Sequence, residues 1–352
     1  MKYSTGDLAV SEFIMDTIVG NGLRGYSGDG NKATDATMNE PFHIDLDATE
    51  KHLYIADCFN YCIRKVDLEN NIISTIGGNG LQGYSGDGSQ AINATLEEPY
   101  AIQIDQNGDV YFAQRFSPAI RKIDSSSGII TTVAGDGVKG NRGDGDMAIN
   151  ARFIEPNDCV FDNTGGLLVA DIQDQRIRRI DLSNGKINTI AGNGKLEHSG
   201  DGGPAKNASI HGARAITVDN DGNIFICERE GNSIRKIETN GIISTVAGTG
   251  VSGYSGDGGL AINATFRGPK AIRCNQNGDL LIVDTENHAI RIISSRTNII
   301  ETIAGGSKGG NGDGGIATAA GLDRPHGAIS DSQGNVIIAD SNNHRIRIAK
   351  LK

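Results

Sequence analysis

Residues 75–124, TIGGNGLQGYSGDGSQAINATLEEPYAIQIDQNGDVYFAQRFSPAIRKID, decide the fold, because the chain repeats this unit six times. Aligned on the Asp of the G-D-G triplet, the copies fall at Asp29, Asp87, Asp144, Asp201, Asp257 and Asp313, spaced by 58, 57, 57, 56 and 56 residues. A fixed period of that size marks repeated supersecondary units. Within each unit a short apolar run ending T-[IV]-[AGV]-G leads into a Gly-rich loop and an Ala-rich segment. Three more short apolar or alternating runs follow, such as LYIAD at 53–57 and IRKV at 63–66. Short alternating runs bounded by turn residues are strands.

Four short strands per unit, repeated radially, predict a six-bladed all-β propeller with antiparallel blades. An orphan strand at 16–20 (DTIVG) and a last strand around Ile346-Arg347-Ile348 predict that the N-terminal strand completes the last blade and leaves no open edge. The uniform repeat predicts one domain over 1–352.

The formal charge of −10 and pI near 5.2 argue against nucleic acid as a partner. No apolar run reaches the roughly 20 residues that span a bilayer, and MKYSTGDLAVSEF lacks the apolar core of a secretory signal. The expectation is a cytoplasmic protein with no membrane partner. Cys58, Cys62, Cys159, Cys227 and Cys274 are an odd set without metal-site spacing, and they read as buried thiols, with Cys58 and Cys62 the one pair able to meet.

Six internal copies separate scaffold from site: what every blade needs recurs, and what acts once on a ligand occurs once. The pairs Asp57/Arg64, Asp171/Arg178, Asp284/Arg291 and Asp340/Arg347 recur and predict a charge-assisted bond across each hairpin. The G-D-G Asp is expected to accept backbone N–H bonds at the start of segments such as 91–94, with calcium disfavoured because each loop brings one carboxylate. The G-x-G-x-x-G pattern starting at Gly20, Gly78, Gly135 and Gly248 leaves a strand for a loop, so it is not a dinucleotide fingerprint.

The run [LV]-[YIF]-[VIF]-A-D, x-x-N-x-x-I-R-K-[IV], T-[VI]-A-G-x-G resembles the NHL repeat over essentially the whole chain, most clearly at 279–291 and 335–347. The resemblance implies a propeller that binds RNA or protein or acts as an enzyme. The peptidyl-hydroxyglycine amidating lyase, similar in architecture, holds zinc with histidines just after the strand-opening Pro of alternate blades. Of the matching positions Phe42, Tyr100, Asn157, Arg214, Lys270 and His326, only the last is His, so that zinc site does not carry over. Likeness to strictosidine synthase is architectural.

Those same positions are where the blades disagree: Phe42-His43, Tyr100-Ala101, Asn157-Asp158, Arg214-Ala215, Lys270-Ala271 and His326-Gly327. They lie at the channel mouth, as a site grafted on a rigid scaffold should. Two turns also depart, Gln114-Arg115-Phe116 and Glu228-Arg229-Glu230. The expected inventory is His43, Tyr100, Asp158 and His326 as proton carriers. Arg115, Arg214, Arg229 and Lys270 would stabilise charge, with Phe42, Phe116, Asn157 and Glu230 beside the ligand. A divalent metal on His43, Asp158 and His326 is conceivable from ligand type but not favoured. This points to an enzyme of lyase, isomerase or hydrolase type acting on a small anionic or carbonyl-containing molecule. The alternative is a protein- or peptide-binding module anchored by Phe42, Phe59, Tyr100 and Phe116, and a weaker one is single-stranded RNA. Arg229→Ala and Asp158→Asn are expected to remove function with little change in melting temperature.

Overall fold

A computed structural model describes residues 13–352, and residues 1–12, which carry most of the start read above for a signal, lie outside the described residues. Six four-stranded antiparallel sheets form the blades of a propeller. Blade 1 pairs β2 (Pro41–Leu46), β3 (His52–Asp57), β4 (Cys62–Asp67) and β5 (Ile72–Gly77) in sequence order from the axis outward, and blades 2 to 5 follow the same order. Blade 6 combines β22 (Gly327–Ser330), β23 (Val336–Asp340) and β24 (Arg345–Leu351) with β1 (Phe13–Val19). β1 runs antiparallel to β24, with Thr17 opposite Arg347. The closing strand therefore starts earlier than 16–20 and stops before Gly20, which turns at a φ of 87° and where an added Cβ would lie 2.7 Å from the His344 carbonyl oxygen.

Adjacent blades pack through apolar side chains. Ala56 and Ile63 of blade 1 meet Ile102, Phe112 and Ile130 of blade 2 over the buried Ala91 and Ala94. That second alanine is small for a reason. Gly86 turns at φ +96°, where an added Cβ would lie 2.6 Å from the Ala94 methyl, so the loop and the Ala segment fit only as a pair of small residues.

Each blade carries one wholly buried arginine: Arg64, Arg121, Arg178, Arg235, Arg291 or Arg347. Its main partner is the G-D-G carboxylate, at 2.5 to 2.9 Å, together with a loop carbonyl such as Ser85 O at 3.0 Å. This corrects two expectations. The Ala segments have no side-chain cap, because the G-D-G Asp is turned to the arginine and to the outer strand, as in Asp87 to Thr132 at 2.7 Å. The strand-end Asp is the arginine's lesser partner, 3.4 Å away for Asp57 and Arg64.

That second Asp instead accepts the backbone N–H of the loop entering the mouth: Asn39 to Asp57, Glu155 to Asp171, Arg267 to Asp284 and Asp323 to Asp340, at 2.8 or 2.9 Å. Glu228 does the same for His211 N at 3.0 Å, and it also holds His198. Arg121, opposite Gln114, takes Asp87 as its charge partner. All five cysteines are free, so Cys58 and Cys62 do not pair.

Candidate functional site

The local cause of the mouth is a register shift. In blades 1 to 4 the pairing of the inner strand slips just after its first residue, between Pro41 and Ile44, Pro99 and Ile102, Pro156 and Asp158, and Ala213 and Ala215. The slip lifts Phe42, Tyr100, Asn157 and Arg214 out of the ladder. In blades 5 and 6 the inner strands begin only after Lys270 and His326, at Ala271 and Gly327.

These side chains converge. The Phe42 ring stacks on His326 at 4.1 Å and meets Tyr100 at 4.7 Å. Arg214, from blade 4, lies over the Tyr100 ring of blade 2 at 4.3 Å and donates to its hydroxyl. A contact between blades 2 and 4 crosses the axis. Lys270 Nζ lies 2.9 Å from His326 Nε2, while His326 Nδ1 donates to Arg324 O at 2.9 Å, which fixes the tautomer and leaves a lone pair facing the amine. All six mouth residues are at least 95% buried, so they are packed inward rather than splayed over a disc.

Below them lies a second layer that the sequence reading did not find. Arg273 of blade 5 donates to both oxygens of Asp158 in blade 3, at 2.9 and 3.0 Å, and to His43 Nδ1 of blade 1 at 3.3 Å. Alternate blades thus meet on the axis. Asp158 also accepts Ile216 N at 3.0 Å, and Asp45 accepts Ile104 N at 2.8 Å, so both tie one inner strand to the next. Burial pushes Asp158 up, but the charge and hydrogen bonds of Arg273 outweigh it and hold it below the ordinary carboxylate range. Burial pulls His43 down to about 3, so it is neutral with its proton on the buried, unpartnered Nε2. Burial pushes Asp45 up to about 6. With both oxygens held by Arg273, Asp158 is bound into the structure, and its replacement by Asn is now expected to cost stability.

The rim completes the site. Arg115 donates to Glu155 at 2.7 Å and Glu98 at 3.3 Å, and lies over Phe116 at 4.6 Å and Tyr100 at 5.5 Å. Arg229 donates to Glu230 at 2.7 Å. Each turn arginine thus has an acidic partner at the rim. Glu40, Glu98 and Arg324, each just before the strand-opening Pro, are held at φ of 53°, 41° and 46°, where a non-glycine residue is strained. Glu40 also lies in the fields of Lys270 and Arg324, and burial raises its carboxyl above the ordinary value.

Three buried polar atoms at the axis have no hydrogen-bond partner among the described residues: Arg214 Nη1, Asn157 Nδ2 and His43 Nε2. Four of the scaffold arginines, Arg64, Arg121, Arg235 and Arg291, also leave Nε unpaired, yet each has a carboxylate. Arg214 has no ion pair among the described residues. The conceivable metal set is not assembled: among the described residues no group of three or more His, Cys, Asp and Glu could hold an ion. His43 and Asp158 close on the Arg273 cation, and His326 on Lys270. No helix among the described residues is long and apolar enough to cross a membrane.

Comparison with known proteins agrees with the architecture. The teneurin NHL domain matches residues 80–142 and 193–253, and the NHL repeat matches residues 322–349. The chain is an NHL-repeat propeller. NHL repeat-containing protein 2 of Gallus gallus is 26% identical over 345 residues, covering 89% of this chain and 46% of that protein. Teneurin-1 of Mus musculus is 28% identical over 288 residues, covering 72% of this chain and 10% of that protein. The NHL propeller thus spans less than half the length of the curated relatives it matches. Among solved structures, an auxiliary nutrient binding protein of Bacteroides thetaiotaomicron superposes with TM-score 0.69 at 18% identity, over 96% of this chain and 76% of that one. Virginiamycin B lyase of Staphylococcus aureus superposes with TM-score 0.56 at 18% identity, over 89% and 96%. Both likenesses concern the fold.

Proposed function

We propose that the channel mouth takes a small anionic or carbonyl-bearing molecule and acts on it by acid/base chemistry of lyase, isomerase or hydrolase type. The observation that carries this reading is Arg214, a buried guanidinium on the axis with an unpartnered nitrogen and no carboxylate in contact. An uncompensated buried cation is costly, and a ligand oxygen supplies what it lacks. Asn157 and His43 offer donors nearby, and Tyr100 and Lys270 carry exchangeable protons. Asp158 fits a fixed charge that orients Arg273 and His43 better than a proton carrier.

The reading is tested by calorimetry and thermal shift with small carboxylates, phosphates and sulfonates. Wild type should respond to at least one class, and Arg214→Gln should lose the response while remaining folded. An unaltered response in that variant overturns it.

A second reading, a protein- or peptide-binding face, rests on a different observation. Leu23, Leu81, Leu196 and Val251, on loops running in to the mouth, are between 57% and 65% exposed. It expects binding of a peptide to survive Arg214→Gln and to fall in the combined Leu23→Ser, Leu81→Ser and Val251→Ser variant.

A further inference from the structure

We propose that Lys270 captures the carbonyl carbon of a 2-oxo acid as an imine, with Arg214 receiving the carboxylate of the same molecule; this rests on the anion-binding reading of the mouth. Arg214 lies on β14 (Ala213–Val218), and Lys270 stands at the corresponding position of the next blade, immediately before β18 (Ala271–Cys274); the two strands pack side by side. A 2-oxo acid carries its two polar groups on adjacent carbons. A guanidinium and an amine at corresponding positions of neighbouring blades match that pairing.

The surroundings of Lys270 favour a nucleophile over a fixed cation. The residue is 5% exposed, and Nζ has two polar neighbours, His326 Nε2 at 2.9 Å and Glu286 Oε1 at 3.5 Å. His326 is a neutral imidazole with its proton on Nδ1, so it offers a lone pair and no charge. Glu286 is claimed by Arg324, which donates to both of its oxygens at 2.7 and 3.2 Å. Burial, and then the charges of Arg214 and Arg324, bring the amine down to about 7, against the pull of Glu286. A lysine so placed is unprotonated in a large fraction of molecules at neutral pH. Its remaining hydrogens are drawn toward His326 Nε2, which makes His326 a positioning residue.

The chemistry balances without a further reagent. The Nζ lone pair forms a bond to the carbonyl carbon, the C=O π pair moves to oxygen, and a nitrogen proton passes to that oxygen to give the carbinolamine. A second proton, taken from solvent, converts the hydroxyl to water, which leaves as the nitrogen lone pair closes the C=N bond. The products are one water and an iminium whose charge lies beside Glu286 and the ligand carboxylate. The iminium withdraws electrons from the adjacent carbon, which suits lyase or isomerase chemistry at that position.

The full chain is incubated with pyruvate and cyanoborohydride, followed by peptide mapping. The expected result is one reduced pyruvyl adduct, located on Lys270 and absent in Lys270→Arg and Lys270→Met. It should be much reduced in Arg214→Gln, and much reduced when acetone replaces pyruvate. His326→Leu should slow adduct formation, and His326→Gln, which keeps an acceptor, should restore the rate. Adducts spread over surface lysines, or an unchanged pattern in Lys270→Arg, overturn the proposal. Acetate separates the two readings. If acetate stabilises wild type but not Arg214→Gln and no adduct forms on Lys270, the imine falls and the anion site stands. If neither acetate nor pyruvate stabilises wild type and no adduct forms, both fall.

Discussion

Two sets of buried arginines divide the molecule. The six recurring ones, from Arg64 to Arg347, each face a G-D-G carboxylate and a loop carbonyl, and they hold the blade loops in place. Arg214 is buried as deeply, yet it meets only a phenol and an aromatic face. Burial alone therefore says nothing about role. What distinguishes a scaffold cation from a binding cation is whether the protein itself supplies the counter-charge.

The sharpest way to break this contrast is to remove one arginine from each set. Arg291→Ala strands Asp257 and Asp284 and should cost about 3–5 kcal/mol in denaturant unfolding, whereas Arg214→Gln should stay within about 1 kcal/mol of wild type, because it removes an uncompensated charge. Equal losses would erase the distinction. Arg273, between the two sets, belongs by its bidentate pair to the scaffold. Arg273→Met should cost about 3–5 kcal/mol and the double variant with Asp158→Leu should recover most of it. No recovery would mean that the pair is not the unit.

A smaller effect concerns the strained ring before the strand-opening prolines. Glu40→Gly should gain up to about 1 kcal/mol by relieving the positive φ, and Glu98→Gly less, since its carboxylate also holds Arg115. The smallest is a pH effect. His344 Nδ1 accepts the Glu40 N–H at 3.2 Å, and burial, then Arg24, lowers its pKa from 6.5. A depressed histidine contributes stability that is present above its unfolded value and drains away as pH falls through the folded one. Asn232 accepts the Gly268 N–H in the corresponding place of blade 4 without titrating. The stability of His344→Asn relative to wild type should therefore grow as pH drops below about 6.5, and a constant difference would remove His344 from the acid response.

The blades, their number and their closure could be read from the sequence because each is stated six times. The mouth was legible as the place where the copies stop agreeing, which is how Tyr100, Arg214, Lys270 and His326 stood out. Arg273 was missed although the same test applies to it: its counterparts are Asp45, Gln103, Val160, Thr217 and Ile329. The position looked like inter-blade core because Ile102 and Ile216, one residue earlier on their own strands, are core. Glu40, Glu98 and Glu155 were missed for the opposite reason, since three copies resemble scaffold. Which residues pair across the axis had no local spacing to betray it.

Joining β1 to β24 also sets an order of events during synthesis. Residues 13–19 leave the ribosome before the rest of the ring and their partner, 345–351, after it, so five blades can assemble while the sixth waits with its latch unfastened. Lys270 and His326 reach each other only in that final interval, and the mouth is finished together with the ring.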